Sequence, residues 1–293
     1  MKKPIFTGSA VALITPFTET GVDYDKFAEL IEYHIENGTD ALVVCATTGE
    51  SSTMPDPEHM AALKFASEKA KGRITLIAGT GSNDTVHAIS LSTYAESVGY
   101  DGLLVVTPYY NKATQKGLYL HFKAIAESVN IPIILYNIPG RTGCAIALDT
   151  FKKLAEIPNI IGVKEATGDL ALAGQIAAST DLVLYSGNDD VILPMMALGG
   201  QGVISVIANI LPKETHDVCQ KFLDGDIASA REEYLKMIEL VHALFIEVNP
   251  IPVKTAMNIL GFNVGKCRMP LCEMEEKNVD TLKQVMKNYG LKF

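Results

Sequence analysis

The 293-residue sequence predicts a (βα)8 TIM barrel, of the α/β class, followed by a C-terminal helical extension. Three observations carry that prediction. Eight short apolar runs recur along the chain, helical patterns separate them, and no strand pattern remains from Gly225 onward. The runs are Ala10–Ile14, Ala41–Val44, Ile74–Ala78, Leu103–Val106, Pro132–Leu135, Ile160–Val163, Leu182–Tyr185 and Val203–Ile207. Each is continuously apolar instead of alternating, which is what a strand covered on both faces of a parallel sheet requires.

Between the first two runs, Phe27, Leu30, Ile31 and Ile35 keep one helix face apolar until Gly38 ends it. Gly72 and Gly99 punctuate the next two helices as C-cap positions. Leu118, Phe122, Ile125 and Val129 form a further apolar face that stops before Asn130. Met195-Met196 reads as helix packing. Gly199-Gly200-Gln201-Gly202 resembles a phosphate loop, but it precedes the last strand instead of following it and so reads as a turn. Eight strand–helix units in about 220 residues fit a closed barrel better than an open doubly wound sheet of about six strands. In the remainder, Tyr234, Ile238, Val241 and Phe245 form one apolar stripe, and Leu282, Val285, Met286 and Tyr289 another. A tail of about 70 residues is too small to secure its own core and is expected to pack on the barrel. The expected division is residues 1–224 for the barrel carrying the active site and 225–293 for the helical region.

Composition narrows the function. At 48% hydrophobic and 20% charged, the chain can bury a large core. A net charge of -9 argues against nucleic acid as a partner, because a phosphate backbone demands a dense Lys/Arg footprint. No segment approaches the roughly 20 apolar residues of a membrane span. The amino terminus lacks a signal-peptide apolar block, so a cytoplasmic location is expected. Five cysteines without a CxxC pair suggest reduced thiols, and six histidines without HxH or HExxH spacing suggest no metal. Gly79-Thr80-Gly81 lacks the third glycine of a dinucleotide loop, and no GxxxxGK[ST] occurs.

Barrel enzymes place chemistry at the C-terminal ends of their strands, and here the residues after the runs are polar. Lys164 is the only lysine directly following a run; at a barrel mouth, desolvation would lower its pKa and leave a nucleophilic amine. A solvated loop lysine is the other reading. Tyr136 could carry a proton at the same rim or simply pack there. Arg141 could grip a carboxylate through its planar fork or remain solvated in its Pro-Gly turn. An amine, a phenol, paired hydroxyls and a guanidinium at the strand ends of one barrel together suggest imine chemistry on a carboxylated substrate.

The stretches Thr47-Thr48-Gly49-Glu50, Pro108-Tyr109-Tyr110-Asn111, Tyr136-Asn137-Ile138-Pro139-Gly140-Arg141-Thr142 and Val163-Lys164-Glu165-Ala166-Thr167-Gly168 resemble those of the dihydrodipicolinate synthases. Asn249-Pro250-Ile251-Pro252-Val253-Lys254 extends the match over nearly the whole chain. The wider pyruvate-dependent class I aldolase family, with its N-acetylneuraminate lyases, shares the lysine and the Tyr-Asn-Ile-Pro stretch. Arg141 is what the synthase subgroup adds.

The resemblance implies a lyase in which Lys164 forms a Schiff base with pyruvate, whose enamine attacks L-aspartate 4-semialdehyde. Cyclisation gives 4-hydroxy-tetrahydrodipicolinate for lysine and diaminopimelate synthesis. It also implies that Tyr136 shuttles protons, with Thr47 linking it to Tyr110 of a neighbouring subunit. Thr48 and Ile204 would seat the pyruvate, Gly187 would leave room beside it, and Arg141 would hold the semialdehyde carboxylate. No cofactor is implied, since the lysine imine is itself the electron sink. The assembly implied is at least a dimer, commonly paired into a tetramer.

In lysine-inhibited members, Ser51, His59, Asn83 and Tyr109 would fall at the inhibitor site. This chain departs there: Asp56 stands for a histidine and His87 for the glutamate that pairs with the inhibitor's ammonium. Weak or absent lysine feedback is expected. The rival functions are a sister aldolase acting on a sugar-derived 2-keto acid, a phosphosugar isomerase lacking a visible phosphate cradle, and a non-catalytic binding barrel.

Overall fold

A computed structural model describes residues 1–293. Eight strands form a closed, all-parallel barrel in sequence order, β1 pairing with both β2 and β8. They are β1 (Gly8–Ala12), β2 (Ala41–Val44), β3 (Thr75–Gly79), β4 (Gly102–Val106), β5 (Ile133–Asn137), β6 (Ile160–Glu165), β7 (Val183–Ser186) and β8 (Gly202–Ser205). The helices between and after them are α1 (Tyr24–Glu36), α2 (Asp56–Ala70), α3 (Thr85–Ser97), α4 (Gln115–Ser128), α5 (Pro139–Thr142), α6 (Leu148–Ala155), α7 (Leu170–Ser179), α8 (Ile192–Ala197) and α9 (Pro212–Leu223). Three more complete the chain: α10 (Ile227–Ala243), α11 (Ile251–Ile259) and α12 (Glu276–Tyr289).

The strands read as unbroken apolar runs because their side chains feed two separate cores. Ala10, Ala12, Val43, Ile77, Leu104, Ile134, Val183 and Ile204 fill the barrel interior with Tyr136 and Tyr185. Val11, Leu42, Val44, Leu76, Leu103, Val105, Leu135, Val163 and Leu184 point outward into the larger core shared with the helices. A polar residue on either face would be stranded without water, so neither face alternates. Phe6, on the segment entering β1, stacks on Tyr185 with ring centroids 4.4 Å apart and accepts a 2.8 Å hydrogen bond from its hydroxyl. The Lys2 ammonium donates to the carbonyls of Ala155, Ile157 and Ile160 at 2.6–2.8 Å.

Strand ends depart from the runs by a residue or two, for a physical reason. β5 and β6 continue through Tyr136-Asn137 and Lys164-Glu165, because backbone pairing (Tyr136 with Lys164, Asn137 with Glu165) does not stop where side chains turn polar. The two residues expected just past the strands are therefore within them. β1 starts earlier than its run because Gly8 and Ser9 pair with Gly202 and Val203. Gly202, expected in a turn, opens β8; a Cβ there would lie 1.8 Å from the Gly8 carbonyl oxygen. Asn209 closes the β1/β8 seam, accepting from the Ile14 N–H at 3.1 Å and donating to the carbonyls of Ala12 and Val206.

Beyond residue 224, α10 packs on α9 and α12, burying Tyr234, Met237, Leu240 and Val241. Phe245, assigned above to the same stripe, lies past the end of α10 and is 45% exposed. Leu282 and Met286 bury the inner face of α12, and Met195 and Met196 pack inside α8. α11 returns to the C-terminal end of the barrel against the turn after β8. No helix is long and apolar enough to cross a membrane.

Candidate active site

β6 carries Lys164 into the barrel mouth, 4% exposed, beside Tyr136 of the paired strand β5. Its Nζ lies 4.4 Å from the centre of the Tyr136 ring, within cation–π range, and enters no hydrogen bond or ion pair. Burial drives the pKa of this amine down to about 7; nearby Asp189 opposes the fall and Arg141 adds to it. Near neutrality a large share of the amine is therefore unprotonated. Burial pushes the Tyr136 phenol the other way, keeping it protonated, while Arg141 and a Thr47 hydroxyl contact partly offset that.

The neighbouring residues lock these two strands. Asn137 donates to Glu165 Oε2 at 2.8 Å and accepts from the Ile146 N–H at 3.1 Å, while Glu165 Oε1 accepts from the Thr167 N–H at 2.7 Å. Gly187 fits beside them for lack of a side chain: a Cβ there would sit 2.5 Å from the Ala166 Cβ and 2.9 Å from the Glu165 carbonyl oxygen. Ile204 is buried on the inner face of β8.

A cavity of about 320 Å³ opens beside Tyr136, which lines it together with Thr47, Arg141, Ser51, His59 and His87; Lys164 does not line it. Arg141, on the short helix α5, is exposed and has no carboxylate partner; its Nη2 donates to the Asn249 carbonyl at 3.0 Å. Thr48 is buried and accepts from the Asn249 side chain at 3.0 Å. The structure thus brings Tyr136, Thr47 and Arg141 to one cavity with Lys164 beside Tyr136, while Thr48, Gly187 and Ile204 do not line that cavity.

Tyr110 is not part of that group within one chain. It is 88% exposed at φ 74°, an unusual left-handed conformation for a non-glycine residue, and does not line the cavity. In the lateral cleft, Ser51, His59, His87 and Tyr109 line the same cavity, whereas Asn83 does not; its carbonyl accepts from Asn111 at 2.9 Å. His87 Nε2 and Asp56 Oδ1 are 2.9 Å apart, and His87 Nδ1 is 3.0 Å from the Ser82 hydroxyl. His59 is buried, its pKa lowered to about 4 by desolvation, with Nε2 unpartnered.

Three further residues, to which the sequence assigned no role, are buried around the site. Asp189, fully buried near Lys164, accepts from the Val206 and Ile207 N–H groups at 3.0 and 2.9 Å and leaves Oδ1 unpartnered. Its only sequence signal was its place after the seventh run. Glu50 and Lys254 form a buried ion pair at 2.7 Å. No group of three or more His, Cys, Asp or Glu side chains gathers as a metal site.

A model of the dihydrodipicolinate synthetase family matches residues 5–289. The 4-hydroxy-tetrahydrodipicolinate synthase of Acetivibrio thermocellus is 58% identical over 99% of this chain and 100% of its own length. Among solved structures, dihydrodipicolinate synthase from Aquifex aeolicus superposes with a TM-score of 0.95 at 49% identity, over 98% of this chain and 99% of that one. The Cyanidioschyzon merolae enzyme, solved with lysine bound, gives 0.95 at 40% identity over 99% and 100%.

Proposed function

The chain belongs to the dihydrodipicolinate synthetase family, and from that premise we propose that it is a lyase condensing pyruvate with L-aspartate 4-semialdehyde to 4-hydroxy-tetrahydrodipicolinate. The product feeds lysine and diaminopimelate synthesis. The observation that carries this reading is Lys164: an unpaired amine, buried at the mouth of a barrel, with a pKa near 7.

The neutral amine attacks the pyruvate ketone, and loss of water gives the protonated imine. That cation is the electron sink that makes the pyruvate methyl group acidic; deprotonation yields the enamine, whose carbon attacks the semialdehyde aldehyde. The protonated Tyr136 phenol donates to the departing water and exchanges protons during cyclisation, with Thr47 passing them onward. Thr48 and Ile204 seat the pyruvate, and Gly187 leaves room for it. Arg141, free of any carboxylate in the chain, holds the semialdehyde carboxylate. That guanidinium favours this acceptor over a sugar-derived one.

Exposed Tyr110 reaches the Thr47 of a second subunit to complete the relay, so a homodimer is the smallest complete unit and a dimer of dimers the expected assembly. The protein works in the cytoplasm. At the lateral cleft, Asp56 Oδ1 already faces His87, so an incoming ammonium would share that carboxylate with the imidazole, which supports weak lysine feedback.

Sodium borohydride reduction with pyruvate, read by mass spectrometry, tests the reading. A reduced pyruvate adduct on Lys164 is expected; labelling elsewhere or none refutes the imine. Consumption of L-aspartate 4-semialdehyde in preference to other aldehydes tests the acceptor.

A further inference from the structure

The loop after β2 that carries Thr47 and Thr48 is held in an unusual conformation from outside the barrel. Cys45 and Glu50, which bracket it, both adopt left-handed backbone angles, φ 54° and 55°, where L side chains are strained. Something must fix them, and at Glu50 it is the C-terminal helical region. Lys254 on α11 donates to Glu50 Oε1 at 2.7 Å and to the Lys266 carbonyl at 3.0 Å, its ammonium 4.5 Å from the centre of the Phe17 ring. Glu50 Oε2 accepts from the Arg268 N–H at 2.8 Å. Both carboxylate oxygens are thus engaged by residues more than 200 positions away, and both side chains are 1–2% exposed. Two residues before α11 begins, Asn249 donates from its side chain to Thr48 and accepts from Arg141 at its carbonyl.

We propose that Glu50 and Lys254 are a positioning pair: they hold the Thr47-Thr48 loop at the geometry that seats the pyruvate carboxylate, making the C-terminal region part of the reaction apparatus. This rests on the function proposed above. Neither side chain touches the reacting atoms. Their effect reaches the substrate through the two hydroxyls, so errors in their placement fall on pyruvate capture and imine formation, not on the semialdehyde.

The test separates positioning from mere support of the fold. In Glu50→Gln/Lys254→Met both buried charges are gone, so neither is stranded and the melting temperature should recover relative to each single variant. Activity should not recover with it. A KM for pyruvate raised about tenfold or more is expected, with the KM for semialdehyde little changed and slower borohydride labelling of Lys164, since displacements near 1 Å can cost that much. Lys254→Arg keeps the charge but cannot place one ammonium between Glu50 and the Lys266 carbonyl. It should melt near the wild type and show the same pyruvate-specific defect, which also serves if the double variant does not fold. Wild-type pyruvate KM and labelling rate in the variant that folds would overturn the positioning role. Absence of labelling in the wild type would instead overturn the imine reading.

Discussion

Two lysines lie at the C-terminal end of this barrel at nearly equal depth, Lys164 4% and Lys254 2% exposed, yet only one is free to react. Lys254 is saturated: a carboxylate, a backbone carbonyl and an aromatic face surround its ammonium. Lys164 has a ring face and no acceptor, and burial brings its pKa to about 7. Burial alone therefore does not make a nucleophile. What separates them is direct pairing: Lys254 on α11 donates to the Glu50 carboxylate, two residues beyond Thr48, whereas Lys164 on β6 has no carboxylate within hydrogen-bond reach.

The largest effect should come from Lys164→Met, which removes the imine and should cut pyruvate-dependent turnover by about 1000-fold or more while the melting temperature holds or rises. Turnover within tenfold of wild type would end the contrast. Lys254→Met should do the reverse in stability: stranding the Glu50 carboxylate in the interior costs about 3–5 kcal/mol, a drop in melting temperature on the order of 10 °C. A melt unchanged from wild type would show the pair to be dispensable.

Tyr110→Phe comes next, with turnover falling about 100-fold at an unaltered melting temperature, since the side chain packs on nothing within its own chain. Titration sharpens the comparison further. The folded chain releases the Lys164 proton near pH 7, whereas the unfolded chain keeps it to about the ordinary 10.5. Between those values the unfolded state binds more protons, so wild-type stability should rise with pH relative to Lys164→Met and lie flat below 7. kcat/KM for pyruvate should climb about tenfold per pH unit up to that point and then level. A profile insensitive to pH between 5.5 and about 7 would contradict an amine of lowered pKa.

How much of this was legible in the sequence follows from the range of the interactions. The eight runs announced the barrel because each strand feeds two apolar cores, a property local to four to six residues. Lys164, Tyr136 and Arg141 were visible because a barrel concentrates function at its strand ends, although pairing carried the first two inside the strands. Glu50–Lys254 and Asn249–Thr48 were invisible as contacts, being separated by 204 and 201 residues. Phe245 was misassigned because periodicity does not show that α10 ends at Ala243.

The smallest effect expected is that of L-lysine. An amino acid with two ammonium groups is held best by an unengaged carboxylate, and Asp56, reached from this cleft through His87, is already 2.9 Å from His87 Nε2, while Ser82 fixes the other ring nitrogen at 3.0 Å. An incoming ammonium must share that carboxylate with His87. His59 offers nothing in exchange: desolvation holds it neutral near pH 7, and its unpartnered Nε2 is sealed from solvent. Initial rates should therefore change by less than about twofold at millimolar lysine, the margin left to a weak exposed ion pair. The exchange His87→Glu with Asp56→His puts a carboxylate at the cleft wall and should increase inhibition. Strong inhibition of the unaltered protein would mean that lysine binds through groups other than this pair.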